Sequence, residues 1–163
     1  MISRTQLAKM MDHSLLKAYA SPLDFEKCCS DAIKNGFMMV AVNSCQVKQC
    51  KRLLGDSPVR VGAAIGFPSG QSPINVKVFE TLIAILDGAD EIDYVLNITE
   101  LKAGNLAYVK DEMEQIISLC HQYKVTSKVI FENCYLTKEE IKAAAQIASE
   151  VQPDYVKTST GFG

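Results

Sequence analysis

Short apolar segments recur along the chain, separated by longer stretches in which apolar residues return every three or four positions. The apolar segments cover residues 9–12, 38–43, 60–66, 91–97, 128–133 and 154–158. Most of them are continuous in apolar character rather than alternating with polar residues, which is typical of strands covered on both faces. The pattern therefore predicts an α/β fold of about six parallel strands with intervening helices.

Local capping chemistry marks the ends of the predicted helices. Ser21-Pro22 and Ser72-Pro73 each place a capping hydroxyl before a proline at the first helical position. Thr137-Lys138-Glu139-Glu140 has the spacing of a capping box, in which the hydroxyl and the carboxylate each bind a free backbone N–H. Glycines stand where helices are expected to stop, at positions 36, 55 and 88.

Two of these helices are predicted to be amphipathic. In the helix after Pro73, apolar residues at three- and four-residue steps predict a face that packs on the sheet. This face consists of Val76, Phe79, Leu82, Ile83 and Leu86. A later helix repeats the arrangement with Met113, Ile116, Ile117 and Cys120.

Repeated strand–helix units fit either an open doubly wound sheet or a barrel. No Gly-x-Gly-x-x-Gly or Gly-x-x-x-x-Gly-Lys-[Ser/Thr] motif follows a predicted strand, which weakens the case for a nucleotide-binding open sheet. We therefore predict the (β/α)8 TIM-barrel type in an incomplete form. A chain of 163 residues with 48% hydrophobic content is enough for one core, so residues 1–163 are expected to form a single domain.

Charge and cysteine content narrow the function classes. Seventeen basic and nineteen acidic residues give a net charge of −2 without a basic block, which argues against nucleic acid or a membrane surface as a partner. The apolar runs are too short to span a bilayer and the N-terminus lacks the apolar core of a signal peptide, so a cytoplasmic protein is expected. Six cysteines without a Cys-x-x-Cys pair favour reduced thiols, and no metal site is expected.

Polar residues gather at the ends of the predicted strands, where (β/α)8 barrels carry their active sites. Asp93 stands out because it lies inside an apolar segment, where an unpaired carboxylate would be costly. We expect it to face a polar cavity or a cation, although a structural salt bridge remains an alternative. For Asn43 and Asn97, ordinary solvation of a strand end is the simpler interpretation.

Lys157 is the most informative residue for function. It follows Tyr155 and Val156 in the last predicted strand, and desolvation there would disfavour the ammonium form. A neutral amine can attack a carbonyl and form a Schiff base, for which Asp93 would be the acid/base. The hydroxyl and glycine residues 158–161 that follow could orient substrate oxygens or a phosphate, or could simply form a strand-to-helix turn.

Five segments at a characteristic spacing cover almost the whole chain. They are Asp12-His13-Ser14-Leu15-Leu16-Lys17, Ile65-Gly66-Phe67-Pro68-Ser69-Gly70, Gly88-Ala89-Asp90-Glu91-Ile92-Asp93, Lys128-Val129-Ile130-Phe131-Glu132 and Val156-Lys157-Thr158-Ser159-Thr160-Gly161-Phe162-Gly163. Together they resemble the deoxyribose-phosphate aldolase family. The resemblance implies a class I aldolase on a (β/α)8 barrel that reversibly cleaves 2-deoxy-D-ribose 5-phosphate to acetaldehyde and D-glyceraldehyde 3-phosphate. It implies a lysine Schiff base and neither a metal nor another cofactor.

The resemblance also implies roles for individual residues. Lys157 would be the Schiff-base lysine and Asp93 the proton-relay carboxylate. Asp12 would be a supporting polar residue at the first strand, and Lys128 a cation near the cavity. Thr160 and Gly161 would help to hold the substrate, with backbone N–H groups contacting the phosphate because Phe162 carries no charge.

The sequence departs from the family pattern in two respects. The second strand reads Ala41-Val42-Asn43-Ser44 where the family commonly has Cys-Val-Asn-Pro, which removes a reactive thiol but no catalytic group. The family also has two further βα units, with a second active-site lysine and glycine-rich phosphate loops, beyond the point matched by Gly163. Without that second ammonium, Lys157 is expected to react more slowly, because a like charge nearby disfavours its charged form.

Three functions are compatible with these observations. The first is the aldolase itself, acting on small phosphosugars and aldehydes. The second is a catalytically silent aldolase remnant that acts as an interaction or structural module through exposed strand edges. The third is a different phosphosugar-handling barrel that needs no Schiff-base lysine. Six strands cannot close an eight-stranded barrel, so a homo-oligomer or an aggregation-prone chain is expected.

Overall fold

The structure is a computed structural model that describes residues 2–163. Over this range, six parallel strands form one sheet in the order β1-β2-β3-β4-β5-β6. The strands are β1 (Asp12–Leu15), β2 (Met39–Asn43), β3 (Arg60–Ile65), β4 (Glu91–Val95), β5 (Thr126–Ile130) and β6 (Tyr155–Lys157). The helices are α1 (Arg4–Ala8), α2 (Pro22–Asn35), α3 (Val47–Leu54), α4 (Ile74–Leu86), α5 (Ile98–Lys102), α6 (Leu106–Tyr123) and α7 (Lys138–Val151).

The sheet is strongly curled. Lys128 on β5 and Asp12 on β1 lie four strands apart in the sheet, yet the Lys128 Nζ and Asp12 Oδ2 atoms are 3.1 Å apart. In a flat sheet, four strand spacings would separate these backbones by about 19 Å. The strands therefore wrap around a common interior in the manner of a barrel, and the predicted incomplete TIM-barrel type is confirmed.

The predicted strands agree with the observed ones except at the start of the chain. Residues 9–12 were expected to form the first strand, but β1 covers Asp12–Leu15. Lys9 instead ends helix α1, which Ser3 and Gln6 begin with a capping box. The short helix was missed because five residues carry too little periodicity to reveal one. The other predicted strands overlap the observed ones to within a few residues.

Burial differs between the middle and the edges of the sheet. Strands β2, β3, β4 and β5 are almost wholly buried, as their continuous apolar character predicts. Strands β1 and β6 alternate or are exposed, so the expectation of burial on both faces is wrong for them. Each of these two has a single neighbouring strand within residues 2–163.

Most of the predicted helix ends are confirmed. Ser21 and Thr137 both form capping boxes, and Gly36 ends α2 in the left-handed conformation with φ of 65°. The prediction for Ser72 is wrong, since α4 begins after Pro73 without a side-chain cap.

Helix α4 packs with a different face from the predicted one. Its buried residues are Lys77, Thr81, Ala84 and Ile85. Four of the five residues of the predicted face are exposed, and we call them the α4 stripe: Val76, Phe79, Ile83 and Leu86. The buried face carries Lys77, which forms a buried ion pair with Glu112 of α6. The corresponding prediction for α6 is confirmed, since its four predicted residues are all buried.

All six cysteines are free thiols. Among the helices of residues 2–163, none combines the length and the apolar character that crossing a bilayer would require.

Candidate active site

Four of the residues singled out in the sequence meet inside the curled sheet. Asp93 on β4 lies directly opposite Lys128 on β5, and Lys157 is the last residue of β6. Asp12, at the start of β1, reaches the same interior from the far side. The site therefore draws on four strands that are distant in sequence, and the curl of the sheet brings them into contact.

Asp93 is the centre of this group. Its side chain is 4% exposed and lies between two cations. The Lys157 Nζ atom is 3.3 Å from Asp93 Oδ2, and the Lys128 Nζ atom is 3.2 Å from Asp93 Oδ1. Asp93 Oδ1 nevertheless accepts no hydrogen bond of good geometry. The expectation that Asp93 faces a cation is confirmed at the level of contacts.

Lys128 is surrounded by three carboxylates. Its Nζ atom bonds to Glu91 and Asp12 and lies beside Asp93. Burial acts to lower the pKa of Lys128, but the attraction of Asp93, Glu91 and Asp12 outweighs it and raises the pKa. Lys128 is therefore a fixed ammonium rather than a nucleophile.

Glu91 belongs to the group, although it was not among the residues selected from the sequence. It is 4% exposed, and its Oε2 atom lies 3.5 Å from Arg60 Nη1. Burial raises the pKa of Glu91, and the ammonium of Lys128 offsets this only in part. A signal for Glu91 was present in the sequence, because residues two apart on a strand point to the same side and Glu91 precedes Asp93 by two.

The carboxylates of Asp12, Glu91 and Asp93 are close enough to share a metal ion, with one oxygen of each within 4.8 Å of the others. The ammonium of Lys128, however, already lies against all three. A divalent cation would have to displace it and would be repelled by it. The arrangement is that of a carboxylate cluster neutralised by a lysine.

The loop after β6 is held by Glu132. The Thr160 hydroxyl bonds to Glu132, and the Thr160 N–H donates to the same carboxylate at 3.1 Å. Thr160 is buried by this contact, while Gly161 is exposed with φ of 90°. The Phe162 ring packs edge-on against Phe67, with 6.5 Å between centroids. The Thr160 side chain therefore organises the loop, and Gly161 offers open backbone.

The surroundings of Lys157 differ from the expected desolvated strand. Tyr155 and Val156 are 57% and 58% exposed, and the Lys157 side chain is 30% exposed. The prediction of an embedded strand is wrong here because β6 is an edge of the sheet. Its attachment relies instead on Asp154, which accepts hydrogen bonds at 2.8 Å from the N–H and the hydroxyl of Ser127 on β5.

A second buried ion pair supports the strand ends from behind. Lys77 Nζ donates to Glu112 at 2.7 Å and to the Val95 carbonyl at 2.8 Å, and Glu112 accepts the Asn97 N–H at 2.8 Å. A side chain on Gly66 would collide with Lys77, since a Cβ atom there would lie 2.9 Å from Lys77 Cε. The pair therefore fixes the carboxyl end of β4 and packs beneath Gly66, which follows β3.

Comparison with known proteins agrees with this geometry. A family model described as DeoC/LacD family aldolase matches residues 6–162. The deoxyribose-phosphate aldolase of Lactobacillus acidophilus is 53% identical over 156 residues, covering 96% of this chain and 66% of its own length. That of Bacteroides thetaiotaomicron is 49% identical over 162 residues, covering 99% and 68%. The chain thus spans about two thirds of the length of these relatives.

The fold has close counterparts among solved structures. The tetrameric deoxyribose phosphate aldolase from Aeropyrum pernix superposes with a TM-score of 0.90 at 28% sequence identity. The match covers 98% of this chain and 67% of that one. The six strands described above therefore correspond to part of a complete aldolase barrel.

Proposed function

The chain belongs to the DeoC/LacD family of aldolases, and we propose that it is a class I aldolase whose nucleophile is Lys157. The proposed reaction is the reversible cleavage of 2-deoxy-D-ribose 5-phosphate to acetaldehyde and D-glyceraldehyde 3-phosphate. The similarity to proteins named deoxyribose-phosphate aldolase supports this choice of substrate. The chemistry requires no cofactor, because the lysine amine itself turns the carbonyl into an electron sink.

The contact between Lys157 and Asp93 carries the proposal, with 3.3 Å between Nζ and Oδ2. The neutral amine attacks the substrate aldehyde to give a carbinolamine, which loses water to form an iminium ion. The C2–C3 bond then breaks as the C3 hydroxyl loses its proton, releasing D-glyceraldehyde 3-phosphate and leaving an enamine. Protonation of the enamine and hydrolysis free acetaldehyde. Asp93 is placed to relay protons to the nitrogen and the carbon that react, directly or through one water.

Three further residues are proposed to bind substrate. Lys128 and Asp12 would set the charge of the cavity and orient a substrate hydroxyl next to Asp93, which their mutual contact at 3.1 Å supports. Gly161 would contribute its backbone N–H to the phosphate, since this position is open and exposed. The role of Thr160 would be to hold this loop through Glu132 rather than to touch the phosphate.

Borohydride trapping tests the nucleophile. The purified chain is incubated with deoxyribose 5-phosphate or with acetaldehyde, reduced, and digested for peptide mass spectrometry. We expect one reduced adduct on Lys157, which is absent in Lys157→Ala and in Lys157→Arg. Lys142→Ala is the matched control because Lys142 is exposed on α7, and it should retain the adduct. A folded chain without an adduct on Lys157 would contradict the proposal and favour a silent remnant.

The same variants separate the aldolase from a barrel with other chemistry. An isomerase or a lyase without a Schiff base would remain active in Lys157→Arg, which keeps the positive charge but cannot form an imine. Loss of turnover together with loss of the adduct would therefore support the Schiff-base mechanism.

We also propose that residues 1–163 act as one domain, that the chain is a homo-oligomer and that it works in the cytoplasm. A continuous hydrophobic core from α2 to α7 supports the single domain. The exposed α4 stripe supports association. Free thiols throughout the chain favour a reducing compartment. Light scattering that returned a stable monomer would contradict the oligomer.

A further inference from the structure

The closest partner of Lys128 is not the proposed acid/base. Its Nζ atom bonds most closely to Glu91 Oε1, lies 3.1 Å from Asp12 Oδ2, and is 3.2 Å and 3.4 Å from the two oxygens of Asp93. Charge-assisted hydrogen bonds between ammonium and carboxylate normally measure about 2.7–2.9 Å. Lys128 therefore bonds most closely to Glu91, and its contacts with Asp12 and Asp93 are longer than a normal charge-assisted hydrogen bond.

Strand register explains how Glu91 takes this position. Asp93 is directly opposite Lys128 in the parallel pair of β4 and β5. Glu91 lies two residues before Asp93 and therefore on the same side of β4. A lysine in this register would by default pair with the aspartate that faces it. The longer side chain of Glu91 meets the ammonium from the amino-terminal side and takes its closest bond.

The distinction matters because Asp93 also contacts a second cation, Lys157. Lys157 and Lys128 both contact Asp93 Oδ2, at 3.3 Å and 3.4 Å, while Lys128 lies 3.2 Å from Asp93 Oδ1 without a hydrogen bond of good geometry. A carboxylate that bonds tightly to a fixed ammonium is a weaker base and has fewer free lone pairs. A closer approach of Lys128 would therefore weaken Asp93 as a base at the Lys157 side.

We propose that Glu91 is a positioning residue that takes the closest bond of the Lys128 ammonium, so that Lys128 makes only longer contacts with Asp93 and Asp93 can exchange protons with the Schiff base on Lys157. This inference rests on the proposed function of Lys157 and Asp93. Glu91 itself does not touch substrate. It acts through Lys128.

The other charged groups around Glu91 fit this role. Arg60 on β3 lies 3.5 Å from Glu91 Oε2, but its Nη2 atom donates to the Asp90 carbonyl and to Thr126 at 2.6 Å. Asp12 is the remaining partner of Lys128, and its side chain is 30% exposed whereas that of Glu91 is 5% exposed. Tyr155 presents its ring to the Lys128 ammonium at 5.9 Å. Glu91 is thus the buried anion with the firmest hold on Lys128.

Deuterium exchange into acetaldehyde tests the inference. The iminium of acetaldehyde on Lys157 loses a methyl proton to Asp93 and forms an enamine, which regains a deuteron from Asp93 after exchange with D2O. Hydrolysis then releases acetaldehyde with deuterium in the methyl group. We expect this exchange to be about tenfold slower in Glu91→Gln, the size of a typical coupling between contacting residues. Borohydride should still trap an adduct on Lys157 in that variant.

Two further variants separate positioning from a loss of structure. Glu91→Asp keeps the carboxylate on a side chain that is one methylene shorter, so deuterium exchange should recover in part. In the double variant Glu91→Gln with Lys128→Met, the competing ammonium is gone and the charge balance of the wild type is restored. Glu91→Gln should therefore slow deuterium exchange less than twofold when it is added to Lys128→Met, compared with about tenfold when it is made in the wild type. An equal loss in both backgrounds would overturn the inference.

A measurement that needs no turnover tests the inference independently of the proposed function. With 13C-labelled aspartate, the carboxyl resonance of Asp93 is followed against pH by NMR in the wild type and in Glu91→Gln. The same comparison is made in the Lys128→Met background, where only the lost charge of Glu91 can act. A larger fall in the midpoint when Lys128 is present would show that Lys128 has moved onto Asp93, even if the wild type formed no adduct. An equal fall in both backgrounds would refute the inference, even if the wild type trapped acetaldehyde normally.

Discussion

The buried pair of Lys77 and Glu112 provides the sharpest test of how the strand ends are held. Both side chains are fully buried and 2.7 Å apart. We consider Lys77→Met and Glu112→Gln, which preserve much of the volume and remove one charge each. The amide of the Glu112→Gln variant can still accept the Asn97 N–H, whereas each single variant leaves its partner as an uncompensated buried charge.

The magnitudes follow from the cost of that charge. Leaving one member of a buried ion pair alone typically costs about 3–5 kcal/mol, and a domain of this size has about 5–15 kcal/mol of stability in total. Each single variant should therefore lose a large share of the free energy of unfolding. The double variant, with neither charge, should lose about 2 kcal/mol or less, because replacing a whole buried pair is often close to neutral. The coupling energy should be about 3 kcal/mol or more.

The pKa directions support a small cost for the double variant at neutral pH. Burial raises the pKa of Glu112 above 4.5 and lowers that of Lys77 below 10.5, in each case against the attraction of its partner. The contribution of Glu112 to stability is therefore present below pH 4.5 and is lost as the pH rises through its folded pKa. That of Lys77 is present above pH 10.5 and is lost as the pH falls through its folded pKa.

Urea unfolding at pH 7, followed by circular dichroism, measures all four members of the cycle. The slope with denaturant should stay constant, so that changes in midpoint report stability. Hydrogen exchange at Val95 and Asn97 would show whether the end of β4 loosens in the single variants. The reasoning is refuted if the double variant loses the sum of the two single losses, or if either single variant loses less than about 1 kcal/mol.

Two further predictions concern the attachment of β6 and its loop. Burial acts to raise the pKa of Asp154, but hydrogen bonds from Ser127 outweigh it and lower the pKa below 3.8. The stabilisation by Asp154 is present above pH 3.8 and is lost as the pH falls through the folded pKa. In Asp154→Asn, the free energy of unfolding should therefore fall less steeply on the acid side of a stability-against-pH profile. An unchanged acid side would contradict this. Thr160→Val should cost about 1–3 kcal/mol in urea unfolding by removing the hydroxyl hydrogen bond to the buried Glu132 carboxylate, which keeps only the Thr160 N–H, while Thr160→Ser should cost less, and equal losses would argue against the hydroxyl.

Some features of the molecule were readable from local sequence because they depend on neighbouring residues. The capping boxes at Ser21 and Thr137 need only a hydroxyl and a carboxylate three positions apart. The four inner strands were visible because burial on both faces leaves a continuous apolar run. Order along the chain then implied parallel strands with helical connections, and the family motifs indicated Lys157 and Asp93.

Other features depended on contacts between distant residues. The α4 stripe was predicted to pack inward, but the buried face of α4 is the one that carries Lys77, which pairs with Glu112 35 positions later. Periodicity shows which residues share a face of a helix, but it does not show which face will pack against another helix. The exposure of Tyr155 likewise follows from the edge position of β6, which the apolar character of the segment does not encode.

The sequence by itself determined the alternation of strands and helices, the helix ends and the residue types needed for Schiff-base chemistry, because each of these is written in short-range spacing. Only the tertiary structure decided which charges meet. The curl of the sheet brings Asp12 within 3.1 Å of Lys128, and strand register places Glu91 beside that ammonium. Electrostatic interactions act over a few ångströms in space, whatever the separation along the chain, so the partners of Asp93 and Lys128 emerge only when the strands are assembled.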